Sequence, residues 1–166
     1  MKMSILIVFS LVVCLILNTR ILYFNIISHS LPPGIYIKTN APPKIGEYAA
    51  SCLTQEIADY GLSHRYLMQG GCSTGIVPVM KIIKGVPGSW YSNKDGVFKI
   101  KPAQQEYLLK SVDSKNRPLK IFYSASSSFV NKGNYLLLST YVPNSWDSRY
   151  WGPVPINFVL EPLITW

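Results

Sequence analysis

The chain opens on an apolar run and then breaks into short alternating segments. Met3 to Leu17 consists of apolar residues and Ser; Asn18, Thr19 and Arg20 interrupt it, and Ile21 to Ile27 resumes it. A membrane-spanning helix needs about 20 residues. A helix from Met3 to about Leu22 meets that length, with Arg20 reaching back to the interface. Ser28-x-Ser30 also has the small-x-small form of a signal-peptide cleavage site. The long apolar part and the Leu-Pro-Pro that follows favour an uncleaved anchor over residues 1–24. Residues 25–166 then form a single domain of ordinary size.

Beyond the anchor the chain reads mainly as short strands joined by Gly/Pro turns. Gly34 to Lys38 reads as a strand, ended by Ala41-Pro42-Pro43, and Glu47 to Cys52 as a second. Thr54 can cap a helix from Gln55 to about Met68, with Ile57, Tyr60 and Leu67 on one face and Gly61 weakening it. Further strands are expected over Ile76–Val86, Val97–Lys101, Leu119–Ser124, Tyr135–Tyr141 and Pro153–Leu160, with a short helix over Ala103–Lys110. The fold class is therefore mainly β, with one or two short helices behind a single N-terminal transmembrane helix.

Charge changes this picture little. The net charge is +8, but the basic residues are scattered from Lys38 to Arg149 and no nucleic-acid motif accompanies them. Nucleic acid is not expected as a partner; the surplus suits anionic membrane lipid. Of the three cysteines, Cys14 falls in the apolar run. Cys52 and Cys72 remain, either as a disulfide in an oxidising compartment or as two buried thiols. A zinc site using them with His64 lacks ligand spacing and a fourth ligand, so no metal or cofactor is expected.

Three stretches could carry chemistry. In Asn25–Tyr36, Ser28 and Ser30 stand two apart ahead of Pro32, Pro33 and Gly34. That is either a juxtamembrane linker or a nucleophile on a stiffened loop, and a nucleophilic serine needs a base. Lys81 lies among Val79, Met80, Ile82 and Ile83. It is either an edge-strand lysine facing solvent or a desolvated amine able to accept a proton. Asn144 to Pro153 gathers Ser145, Asp147, Ser148 and Arg149 between large aromatics.

Taken in order, these stretches resemble the boxes of the membrane-anchored Ser–Lys signal peptidases: Ser-x-Ser-x-Pro, Lys-x-x-x-Gly-x-Pro-Gly, and Ser-x-Asp-Ser-Arg-Tyr-Trp-Gly. Ser-Leu-Pro-Pro-Gly-Ile-Tyr, the Cys52/Cys72 pair and the Gly71-Cys72-Ser-Thr-Gly75 turn resemble the conjugative-transfer branch, the TraF-type peptidases. The Gly-Asp-Asn-Arg run of general signal peptidases is replaced by Ser139-Thr-Tyr-Val-Pro143, and Ser89 stands where Asp is usual.

The resemblance implies a signal-peptidase β fold and a set of roles. Ser30 matches the nucleophile and Lys81 the general base. Ser28 matches the side-chain donor of the oxyanion hole, with the Ser30 N–H as its partner. Ser145 matches the hydroxyl that orients the lysine, and Asp147 and Arg149 a structural ion pair. Lys84, His29 and His64 take no catalytic position. It also implies cleavage of exported precursors after small residues, on the periplasmic side of a bacterial inner membrane. The branch points to a pilin-like precursor; general signal-peptide removal, or an inactive anchored assembly factor of the same fold, are the alternatives.

Overall fold

Strand β1 (Leu22–Asn25) begins where the apolar run ends, with Asn25 buried and Phe24 exposed. It pairs antiparallel with β2 (Gly34–Thr39), so the intervening residues form the connection of a hairpin. The structure is a computed structural model that describes residues 22–26, 28–102, 104–124 and 126–166. The expected anchor helix and Cys14 lie outside these residues, except for the last positions of the anchor. Residues 22–24, assigned to the anchor from sequence, belong to the sheet. Tyr23 stacks on Phe158, with ring centroids 4.7 Å apart, which ties that edge to the domain.

Among the described residues, the remaining strands are β3 (Tyr48–Ser51), β4 (Val79–Gly85), β5 (Trp90–Lys94), β6 (Val97–Lys101), β7 (Gln105–Leu108), β8 (Ser127–Phe129), β9 (Asn134–Leu138), β10 (Val154–Pro155) and β11 (Phe158–Thr165). A seven-stranded sheet runs β1-β2-β11-β3-β4-β9-β10, and a four-stranded sheet runs β7-β6-β5-β8. One face of the large sheet buries Ala49, Ile83 and Leu137 against helix α1 (Gln55–Ser63) and the Tyr150–Trp151 pair. Its other face buries Leu31, Tyr36, Ala50, Ile82 and Leu160. Phe98, Ile100 and Tyr91 of the small sheet pack with Leu136 and Leu138 of β9.

The structure corrects several expectations. The segment expected as a helix over Ala103–Lys110 contains β7. Its Gln, Glu and Leu favour helix in isolation. Burial, however, alternates with period two, Tyr107 lies opposite Phe98, and Glu106 ion-pairs across the strands with Lys99 at 2.7 Å. Leu119–Ser124 joins neither sheet; Phe122 donates its N–H to the Tyr150 carbonyl instead, at 2.8 Å. Strands β5 and β8 were not expected: each is short, and polar residues outnumber the aromatic ones in both, Ser-Asn-Lys in β5 and Ser-Ser in β8.

Helix α1 stops at Ser63 rather than near Met68, because Arg65 takes a positive φ of 60° and the chain reverses. Tyr66 and Leu67 then return their N–H groups to the Gly61 carbonyl. Gly61 permits this fold-back: a Cβ there would lie 2.5 Å from Leu67 Cδ1 and 2.8 Å from Trp146 Cζ3.

Past the reversal, Gln69 bridges to Ile76 in a small antiparallel turn. Cys72 within it is joined to Cys52 by a disulfide, with Cα atoms 5.7 Å apart and a sequence separation of 20. Closing a loop of this size stabilises the fold by about 3 kcal/mol in the chain-entropy account. Replacing both cysteines by Ser should therefore lower the unfolding free energy of the full chain by about that amount. Equilibrium denaturation of variant and parent checks it, and equal midpoints would show that the cross-link contributes nothing.

Candidate active site

The turn after β1 carries Ser28 and Ser30. Pro32 and Pro33 have no N–H to offer a ladder, so the carbonyls around them need other partners. They find side chains. Asn25 Nδ2 donates to the carbonyls of Leu31 (2.9 Å) and Pro32 (3.0 Å), and the Tyr36 hydroxyl donates to Pro32 (2.6 Å). The Ser139 hydroxyl donates to the carbonyl of Ser30 at 3.1 Å. The loop is thereby fixed on its C-terminal side. On its N-terminal side Ser28 is exposed, and its Oγ accepts the Ser30 N–H at 3.2 Å.

Lys81 reaches this loop from the middle of β4. It lies opposite Ala49 of β3, whose small side chain leaves room for it, and on the same face as Ile83. The residue is 7% exposed. Its Nζ is in hydrogen-bond contact with Ser30 Oγ and lies 3.0 Å from Ser145 Oγ. Burial pushes the Lys81 amine down to about 8; the Asp147 charge opposes that shift and the Arg149 charge adds to it. An amine with that value is substantially neutral in mildly alkaline water and can accept a proton from a hydroxyl.

Ser145 is set by the segment that follows it. Asp147 caps the short helix α2 (Ser148–Trp151), accepting the Arg149 N–H at 3.2 Å. The Arg149 guanidinium meets the same carboxylate in a fork, at 2.8 Å through Nε and 3.0 Å through one terminal nitrogen. The pair is buried, with side chains 0% and 3% exposed. The remaining guanidinium hydrogens hold the carbonyls of Pro143 and Ser145, each at 2.8 Å, and Leu108 at 3.2 Å. Asp147 accepts a fourth bond, from the Ser139 N–H at 3.2 Å. A buried ion pair is tolerable when its remaining donors and acceptors are satisfied, and this one is.

A cleft of about 210 Å³ opens over Ser28, Ser30 and Lys81, walled by Ile26, Met68 and Val77 among others. The residues singled out from sequence thus converge: Ser30, Lys81 and Ser145 touch, Ser28 adjoins them, and Asp147 with Arg149 buttresses them. Lys84 contributes to neither the cleft nor the contacts of Lys81. His29 is exposed, and His64 stacks on Tyr60 with ring centroids 3.9 Å apart. Asn25, Tyr36, Ala49 and Ser139 were missed as site residues. A signal existed for the first two: prolines that strip a loop of N–H donors call for nearby side-chain donors to its carbonyls.

Comparison with known proteins gives a consistent picture. The family described as "Signal peptidase, peptidase S26" matches residues 2–161. Two Escherichia coli proteins named plasmid transfer protein TraF are each 30% identical to the chain. One aligns over 142 residues, covering 82% of this chain and 80% of the relative, and the other over 145 residues, covering 82% and 79%. A protein of Sinorhizobium fredii named probable conjugal transfer protein TraF is 30% identical over 139 residues, 79% of this chain and 69% of its own.

Asp147→Ala leaves a buried guanidinium unpaired and frees the Ser139 N–H. It should destabilise the domain by roughly 3–5 kcal/mol. Glu106→Ala, at the exposed partner of Lys99, should cost under about 1 kcal/mol. Chemical denaturation of the two variants side by side measures the difference; similar losses would mean that the Asp147–Arg149 pair is not an anchor.

Proposed function

The chain belongs to the signal peptidase family, peptidase S26, and from that premise we propose that it is a membrane-bound serine endopeptidase working through a Ser30–Lys81 dyad. The observation that carries this reading is the buried, carboxylate-free amine of Lys81 in contact with the Ser30 hydroxyl. Neutral Lys81 takes the Ser30 proton as Oγ attacks the scissile carbonyl carbon. The resulting ammonium gives that proton to the leaving amine as the C–N bond breaks. A water deprotonated by Lys81 then hydrolyses the acyl ester and restores Ser30. Ser145 keeps the amine aimed through the exchange.

The oxyanion of each tetrahedral intermediate needs donors. The Ser30 N–H and the Ser28 hydroxyl are the two at hand, and here the N–H rests on Ser28 Oγ. A substrate oxygen entering between them would displace that bond, take the N–H, and receive the Ser28 proton after rotation of the hydroxyl. Narrow apolar walls suit an extended precursor with small side chains next to the cut.

The membrane assignment rests on the apolar run ahead of Leu22 and on an exposed apolar sheet face beside the cleft. Phe24, Ile35 and Ile164 stand in one rung across β1, β2 and β11. Phe24 is 52% exposed, Ile26 69% and Trp166 66%. A bilayer would cover such a face, with an anchor preceding Leu22 and the catalytic domain on the extracytoplasmic side, where a Cys52–Cys72 disulfide persists. The names of the relatives support a role in plasmid transfer; a pilin-like exported precursor is the substrate proposed for that role.

Two experiments test this reading. Ser30→Ala should abolish cleavage of an exported precursor by the full-length protein in membranes. Lys81→Ala should lower it by roughly 10²–10⁴-fold, while Lys84→Ala stays near the parent rate. An inactive Lys84→Ala beside an active Lys81→Ala would reassign the base.

The second experiment is a pH profile. The base works only when deprotonated, so kcat/KM should fall about tenfold per pH unit below the Lys81 midpoint and level off above it. That midpoint lies at about 8. Activity that stayed level down to about pH 5 would exclude a lysine base.

A further inference from the structure

Ser139 directly follows β9, the strand next to the one that carries Lys81. It is 3% exposed, and both of its polar groups are committed. Its N–H donates to Asp147 Oδ2 at 3.2 Å, and its hydroxyl donates to the Ser30 carbonyl at 3.1 Å. It does not line the cleft. A serine that touches neither substrate space nor Lys81 still connects the buried ion pair to the backbone of Ser30.

We propose that Ser139 is a positioning residue for the nucleophile, holding Ser30 through its carbonyl and linking it to the Asp147–Arg149 anchor. The inference rests on the Ser30–Lys81 reading above. Asp147 then sets both partners of the dyad. Through Arg149 it fixes the Ser145 carbonyl, and so the hydroxyl that orients Lys81. Through Ser139 it fixes Ser30. The tether acts on the torsion that matters. Holding the Ser30 carbonyl restrains ψ of Ser30, and with it the placement of Cα, Oγ and N–H against Lys81 and the oxyanion site. Asn25 and Tyr36 hold the next two carbonyls, so releasing Ser30 frees the one peptide unit adjoining the nucleophile. A misplacement of about 1 Å at a reacting atom can cost about 10²-fold in rate.

The test uses the full-length protein in detergent with a precursor substrate, and compares Ser139→Ala, Ser139→Thr and Ser139→Val. Alanine keeps the N–H bond to Asp147 and removes only the tether. Threonine and valine have nearly the same shape and differ in the hydroxyl. Ala and Val should lower kcat by about 10- to 100-fold, with KM and the alkaline midpoint unchanged, and Thr should stay within about threefold of the parent.

A second readout needs no turnover. In protein labelled with carbonyl-¹³C serine and ¹⁵N leucine, the Ser30–Leu31 signal reports the Ser30 carbonyl directly, with Ser10–Leu11 as the other such pair. That signal should move in the Ala and Val variants and stay in Thr. An Ala variant with parental kcat, equal rates for Thr and Val, a shifted alkaline midpoint, or an unmoved Ser30 signal would each overturn the proposal. A parent protein that cleaves no precursor would instead count against the dyad, and the carbonyl signal would still decide whether Ser139 tethers Ser30.

Discussion

The site depends on burying one lysine without giving it a carboxylate. Lys81 is enclosed between β3 and β9, and its ammonium form is penalised for that reason. A paired acid would undo the penalty by favouring the charged form. Asp147 is close enough for its charge to be felt at Lys81, yet its four hydrogen bonds come from Arg149 and Ser139. Arg149 thus does two things: it occupies the acid, and its own charge further disfavours the ammonium. The partners of Lys81 are two hydroxyls. A hydroxyl can donate to a neutral amine or accept from an ammonium, so it suits both protonation states that a base must visit.

This constraint explains why three stretches far apart in sequence must be held so firmly. Hydroxyl contacts to a neutral amine are weak compared with an ion pair, so they position nothing by themselves. The positioning comes from elsewhere. Pro32 and Pro33 stiffen the Ser30 loop, but they also leave carbonyls that Asn25, Tyr36 and Ser139 must satisfy. Ser145 is placed through its carbonyl by Arg149 rather than through its hydroxyl. Strong interactions act on the backbone, and the Ser30, Lys81 and Ser145 side chains keep the weak ones.

Much of the site was legible because its chemistry requires particular residue types in order along the chain. Ser30, Lys81, Ser145, Asp147 and Arg149 each lie in a distinctive local pattern, and the structure brings them together. Ser139 had no such pattern: an isolated Ser at a strand end is common, and its meaning comes only from the carbonyl opposite. The fold was legible where β-branched and aromatic residues fill a short segment bounded by Gly or Pro, as in β2 and β4. It was misread at β7, where helix-favouring residues alternate on a sheet edge, and at α1, where Arg65 reverses the chain without a glycine. Residues 22–24 were misread because a strand of Leu, Tyr and Phe directly after an apolar run continues that run's hydrophobicity. Their pairing with β2 lies in partners across the turn, Leu22 with Ile37, Tyr23 with Tyr36 and Phe24 with Ile35.

The tethers are distributed unevenly around the cleft, and the asymmetry bears on how a substrate could be accommodated. The wall that includes Met68 and Val77 continues into the turn bridged at Gln69 and Ile76. The disulfide ties that turn to Cys52, directly after β3, whose Ala49 faces Lys81. Cys52 is held further by Asn157, which accepts its N–H at 2.6 Å. That wall is therefore tied to the strand opposite Lys81. Ser30 is likewise fixed on its carbonyl side. Ser28, by contrast, faces solvent and meets Ser30 through the very N–H that an oxyanion would claim. In the proposed reaction, adjustment to a bound peptide is cheapest at Ser28, where a hydroxyl rotation would exchange an internal hydrogen bond for two bonds to developing charge. Such an exchange strengthens as charge builds, so it favours the transition state over the bound substrate.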